Sequence, residues 1–332
     1  MKKIFFILSL NLSFFFSAQT NVDYSKNGKE TYGIYLFQQV GIPKIYDKEN
    51  AEFQKNARKL IDFFNQESNT IKQKQGFDLR ILLKADENFS PKTGKRILKN
   101  YEYGIKAEID YLFEMFIKGG KKWTVEPPNW RIFINNPNIG GHGGFYNDGD
   151  DHSFLKKNFL VFPLKEEIAS GVHYYNCEAQ TCGSIVVFNP NRPNYWIPVK
   201  VKEVTEAKLK FYNNDKDREV YNFLKQIIDA MSEEELNADA YYGSEDAILN
   251  VNGKGQGLQI MRFNPDYWDK NLPISAIQFI TIYHNELGFN CKSEDCWEAT
   301  KSEFYKNNGH IEFWQEIPRE IPLEKLGDFI QK

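Results

Sequence analysis

Apolar positions along this chain change their rhythm several times, and each rhythm predicts an element. After a polar lead-in, Phe53, Ala57, Leu60, Ile61 and Phe64 recur at helical spacing, which predicts an amphipathic helix over about 50–66. The run FDLRILLKA, beginning at Phe77, reads as a strand. Ser90 followed by Pro91 has the form of a helix N-cap with proline in the first turn. Beyond it, Leu98, Tyr101, Ile105, Ile109, Leu112 and Phe116 make a second helical stripe, ended by Gly119 and Gly120. The first third of the chain is therefore expected to hold two long helices and one strand.

Two prolines in VEPPNW, from Val125 to Trp130, interrupt this pattern and mark a candidate boundary. Then RIFINN, FLVFPL and GSIVVFN follow as short apolar runs, rich in β-branched and aromatic residues and bounded by Gly, Pro and Asn, as strands are. Helical spacing returns with Val220, Phe223, Leu224, Ile227, Ile228 and Met231, and Ser232 is placed to cap a further helix. GLQIMRF and ISAIQFITIYH read as strands, and Leu323, Leu326, Phe329 and Ile330 as a short closing helix. Strands and helices do not alternate regularly. The expected class is α+β: a helical N-terminal part followed by a mixed or antiparallel sheet with packed helices. The expected organisation is a leader at 1–18, a helix-rich part at 19–124 and an α+β part at 125–332, with one continuous domain over 19–332 as the alternative.

Three apolar runs end in Asn-Pro: FINNPN, VVFNPN and MRFNPD. Two of them extend further, as VFNPNRPNYWIPV and RFNPDYWDKNLPI, each reading Phe-Asn-Pro, then Tyr-Trp, then proline and a β-branched residue. Proline cannot donate to a sheet ladder and turns the preceding residue away from helix, so Asn-Pro ends a strand. The repeat is expected to be a structural corner. The rival reading is a pair of aromatic platforms flanking a cleft.

The chain opens Met1-Lys2-Lys3, continues in a largely apolar run from Ile4 to Phe16, and reaches small residues at Ser17 and Ala18. This is the plan of a secretory signal peptide, cut after Ala18, and the run is shorter than the roughly 20 residues a bilayer requires. A periplasmic or extracellular location is expected. Losing Lys2 and Lys3 takes the formal net charge from −3 to −5, and the charges are spread without a basic cluster. Nucleic acid is therefore a poor partner, and an extracellular or envelope ligand a better one. The four cysteines form two matching pairs, Cys177 with Cys182 in YNCEAQTCG and Cys291 with Cys296 in FNCKSEDCW. Two local disulfides are the simplest reading in an exported chain; a four-thiolate zinc site is the rival.

No His-Glu-x-x-His helix, Gly-x-Ser-x-Gly elbow or phosphate loop is present, and NGKGQG at 252–257 reads as a hairpin turn. The stretch GGHGGFYNDGDDHSF, 140–154, is the densest in candidate chemistry. His142, Asp148 and His152 are its candidate metal ligands, with His284 supplied from the end of a predicted strand. Asp150 and Glu286 are the candidate general bases for a water activated by that divalent metal. The competing reading is a long polar turn, for which Gly, Asn and Asp are the ordinary residues. His173, four residues before Cys177, reads as a loop residue beside a disulfide, and His310 as exposed. Six tryptophans and an aromatic content of 15% in an exported chain invite a sugar- or peptide-binding reading, although core packing accounts for several of the rings. With no complete catalytic signature, the leading expectation is a non-catalytic binding or interaction protein. The alternative is a metal-dependent hydrolase using the 140–152 loop with His284.

Overall fold

The computed structural model describes residues 22–35, 47–85, 87–89, 96–98, 104–122, 127, 129–136, 166–176, 183–243, 251–284, 317 and 320–331. In chain order the elements begin with β1 (Glu30–Tyr35), α1 (Asp47–Glu67), α2 (Asn69–Gln73), β2 (Phe77–Ala85), β3 (Glu87–Phe89) and β4 (Arg96–Leu98). Next come β5 (Ala107–Ile117), β6 (Lys121–Lys122), β7 (Asn129–Ile134), β8 (Glu166–Ala169), β9 (Val172–Asn176), β10 (Gly183–Val187) and β11 (Trp196–Pro198). The last group is α3 (Val201–Tyr212), α4 (Arg218–Asp229), α5 (Glu233–Asn237), β12 (Tyr241–Tyr242), β13 (Val251–Asn252), β14 (Leu258–Gln259), β15 (Met261–Phe263) and β16 (Ile280–His284). A 3-10 turn, Leu323–Phe329, closes the described chain.

The protein is α+β. One large sheet runs β1-β2-β5-β7-β16-β10-β9-β8, with β6 hairpinned onto β5. Only β1 against β2 is parallel; the other pairings are antiparallel. The sheet is continuous across the proline-rich stretch 125–130, because Tyr111 of β5 pairs with Trp130 of β7. No helix among the described residues is long and apolar enough to cross a membrane.

The expected first helix is α1, and its predicted stripe is the buried one. Phe53, Ala57, Leu60, Ile61 and Phe64 all have no exposed surface and pack on one face of the sheet. The Phe64 ring meets Trp130 edge-on at 5.1 Å. The closing 3-10 turn covers the same face, with Phe329 at 5.1 Å from Phe63.

The second expected helix is not one. Residues 96–98 form β4 and residues 107–117 form β5, the longest described strand. Ala107, Ile109, Tyr111, Phe113 and Met115 alternate into the core, while Glu108, Leu112 and Glu114 are only half-buried. The stripe Ile105, Ile109, Leu112, Phe116 was a coincidence of spacing, for a period of 2 through Ala107, Ile109, Tyr111, Phe113 and Met115 occupies the same segment, leaves Leu112 and Phe116 on the other face, and is selected by the ladder with β2 and β7. Smaller differences have the same origin. GLQIMRF divides into β14 and β15, which pair different partners, and ISAIQFITIYH joins a ladder only over β16. NGKGQG is not a hairpin turn, because β13 and β14 flank β12 on either side.

Two further clusters complete the packing. Val199, Val201, Val204, Leu224, Ala240, Val251 and Ile260 form a small core between α3, α4 and the three-stranded sheet β13-β12-β14. On β9 and β10, Val172, Tyr174, Ile185 and Val187 enter the main core, whereas Tyr175 and Val186 point to the other face. There they join Tyr195, Trp196, Tyr267, Trp268 and Phe279 in an aromatic layer. The candidate site is built on this second face.

Candidate functional site

The two Asn-Pro corners assemble the aromatic layer. In each, the asparagine side chain accepts from the N–H two residues on: Asn189 Oδ1 from Asn191 at 3.0 Å, and Asn264 Oδ1 from Asp266 at 3.0 Å. These Asx turns step over the proline, which has no N–H to give, and so explain the repeated dipeptide. The corners then lock together. β11 pairs with β15 so that Trp196 faces Phe263, and the Asn264 N–H donates to Tyr195 O at 2.7 Å. Asn264 Nδ2 donates to Asn194 O at 2.8 Å. From the second corner, the Tyr267 hydroxyl accepts from the Asn189 N–H at 2.9 Å and donates to Gln278 O at 2.7 Å. Burial pushes the Tyr267 phenol up to about 12.

A cavity of about 610 Å³ opens between the main sheet, the first corner and the small sheet. The main sheet contributes His173 and Tyr175 of β9, and Glu167 stands directly opposite His173 on β8. Phe188, Tyr195 and Trp196 come from the first corner, with Pro190, Arg192 and Asn194 beside them. Tyr241, Leu258 and Gln259 come from β12 and β14, and Met261 from β15. Gly257 also lines the wall, at φ +99, and a Cβ there would lie 1.9 Å from Tyr242 O. Small-molecule sites have this size and this mixture of apolar walls with a few convergent polar groups.

A buried chain of hydrogen bonds crosses the floor. Tyr175 and Tyr195 share a hydroxyl–hydroxyl bond, and Tyr195 Oη lies 2.6 Å from His173 Nδ1. Desolvation holds the His173 imidazole below its ordinary range, the opposite strand's Glu167 acting against this. Desolvation likewise pushes the Tyr175 phenol up to about 12 and Tyr195 far higher. All three groups are therefore neutral near pH 7, and the chain carries hydrogen bonds rather than charge. The Trp196 indole N–H is buried and has no acceptor among the described residues.

A second titratable cluster lies on the sheet over β2, β5 and β7. Glu108 and Asp110, two apart on β5, share a face and a hydrogen bond. Lys84 of β2 contacts both, bonding Asp110 and lying 3.9 Å from Glu108. Arg131 of β7 sits 3.7 Å from Glu108 and 3.6 Å from Asp110. Burial and the neighbouring Asp110 raise the Glu108 carboxyl to about 7. The partners of this cluster, drawn from three adjacent strands, read as a cross-strand ion network.

Of the residues singled out in the sequence, His142, Asp148, Asp150, His152 and Glu286 lie outside the described residues, as do His310 and all four cysteines. His284 is the last residue of β16 and pairs with Gly183. The chain leaves β7 toward the 140–154 stretch where Ile134 pairs with Ile280, at the other end of β16. Among the described residues no group of three His, Cys, Asp or Glu side chains is arranged to hold a metal ion. His173 is the correction: it is a strand residue whose ring faces the cavity, not a loop residue. The alternation in GVHYYN carried that signal, with Val172 and Tyr174 on one face and His173 and Tyr175 on the other.

The fold and this cavity define an α+β protein with an aromatic-walled pocket on the sheet face opposite its main helix. Neither a family model, nor a curated protein, nor a solved structure matches the chain.

Proposed function

We propose that this is an exported binding protein that takes a small molecule into the cavity between the sheet and the paired corners, without chemical turnover. One observation carries the reading: a cavity of about 610 Å³ whose wall combines half-buried apolar side chains with neutral polar ones. None of the described residues lining it forms a nucleophile–base pair, since His173 is bonded to a phenol that stays protonated. Export rests on the leader pattern at 1–18 and on the paired cysteines. The described flanks favour local pairing of the first two cysteines, because Asn176 and Gly183, the residues just outside Cys177 and Cys182, face each other across a hairpin.

The test is saturation-transfer NMR with a fragment library on the mature protein, repeated on Met261→Trp, which fills the cavity from β15. Fragments that bind the wild type and lose their signal in the variant support the reading. Fragments that bind both proteins equally, or none at all, overturn it.

A further inference from the structure

We infer that the ligand of this cavity is a neutral saccharide, seated by its C–H face on the apolar wall and by its hydroxyls on the amide and imidazole groups. The inference rests on the proposed reading of the cavity as a ligand seat and adds the ligand's chemical class.

Charge comes first. Among the described residues, two ionic side chains line the cavity, Glu167 and Arg192, and they are of opposite sign. Arg192 is already committed: it donates to Gln278 Oε1 and to Gln331 O, the latter at 3.1 Å, and its guanidinium lies over the Tyr267 ring at 5.7 Å. It therefore does not present the free two-pronged fork that carboxylate or phosphate recognition uses. His173 is neutral for the reasons given, so it adds no cation. Glu167 is exposed and stands at the rim, where water weakens its hold on a cationic ligand. The described lining is thus neutral overall.

The polar groups argue against a purely apolar ligand. His173 Nε2 and the side-chain amides of Asn194 and Gln259 would lose water on occupation and need partners. The Gln259 amide gives one N–H to Asp239 Oδ2 at 3.4 Å and keeps its second N–H and its oxygen, so both amides retain a donor and an acceptor, as a sugar hydroxyl does. The tyrosine–histidine chain extends this match. If Tyr175 donates to Tyr195 and Tyr195 to His173 Nδ1, then Nε2 carries the proton and donates into the cavity. If every bond in the chain reverses, Nε2 becomes an acceptor. The floor can meet a hydroxyl in either role without a change of charge.

The apolar part of the wall completes the argument. Phe188 and Tyr241 are half-buried and line the cavity, as do Leu258 and Met261. Phe188 is held rigidly between His173 at 4.5 Å and Tyr195 at 4.7 Å, centroid to centroid. A fixed ring with part of its surface open suits the flat C–H face of a pyranose, whose edges carry the hydroxyls.

The experiment is calorimetric titration of the mature, full-length protein with cellotriose, maltotriose and N-acetylchitotriose, alongside N-phenyl-1-naphthylamine as an apolar probe and choline as a cationic one. The expected result is saturable binding of at least one trisaccharide, weakened about tenfold or more in Gln259→Leu and in Phe188→Ala. Phe188→Leu replaces the alanine variant if that one melts early, and His173→Phe should weaken binding without abolishing folding. Binding of a trisaccharide that all these variants leave unchanged overturns the inference. Binding of the naphthylamine or choline with no trisaccharide binding, blocked in Met261→Trp, keeps the cavity as a ligand seat and overturns the saccharide assignment. No binding by any probe removes both.

Discussion

Asn135 directly follows β7 at φ +53, a left-handed conformation that asparagine tolerates better than most residues, and it is wholly buried. Its Nδ2 donates to Ile105 O at 3.0 Å and Ala276 O at 2.7 Å, while its Oδ1 accepts from the Gln278 N–H at 2.7 Å. One side chain thus ties the strand end to the two segments on either side. Asn135→Ala is expected to lower unfolding free energy by roughly 3 kcal/mol or more, since several buried groups lose their partner at once; urea denaturation checks this, and a cost below about 1 kcal/mol would contradict it. Glu108 belongs to this scale as well. Its carboxyl is raised to about 7 in the folded state, so the folded protein holds that proton more tightly than the unfolded chain. The associated stability is fully present below the unfolded value and is lost as pH rises toward 7. Glu108→Gln should therefore gain in melting temperature over the wild type at pH 8 and lose most of that advantage at pH 5. A difference that does not change with pH would show that the carboxyl titrates normally.

β5 is the element where a local pattern was ambiguous and pairing decided. Ile109 has no exposed surface, whereas Leu112 is half-buried on the opposite face. A helix carrying the original stripe would bury both alike. As a strand, Ile109→Ala should cost about 2–5 kcal/mol and Leu112→Ala distinctly less, measured by chemical denaturation. Equal large costs would favour the helix. α1 shows the other case: its stripe predicted both the element and its buried face, because the period of 3.6 has no rival there. α3 escaped the sequence reading because its buried side is Val201, Val204, Thr205 and Lys208, two of which are polar. Lys208 is almost completely enclosed, its aliphatic stem serving as packing material.

At the scale of the whole molecule, both cysteine segments leave the described sheet from the same end. Asn176, Gly183 and His284 lie side by side there, on β9, β10 and β16. If each pair closes on itself, alkylation of the exported, unreduced protein should label no thiol, and peptide mapping should find Cys177 with Cys182 and Cys291 with Cys296. Links between the motifs, or free thiols, would overturn this arrangement. The same preparation should begin at Gln19, as N-terminal sequencing will show, if the leader is cut after Ala18.

Taken alone, the sequence determined the α+β class, α1 with its core face, the strands β2, β7 and β10, and the two Asn-Pro corners. These depend on forces acting within a few residues: helical or alternating spacing, and a proline that removes a ladder donor. It directed attention to the histidines of the 140–154 stretch, while the cavity uses His173, which looked ordinary. Only the tertiary structure decided that β5 is a strand, and that the two corners pack against each other. It also brought His173, Tyr195, Tyr241 and Gln259 around one space, from four separate segments of the chain. The reason is physical: a side chain's facing is local, but what it faces is set by ladder register and layer packing between residues far apart in sequence.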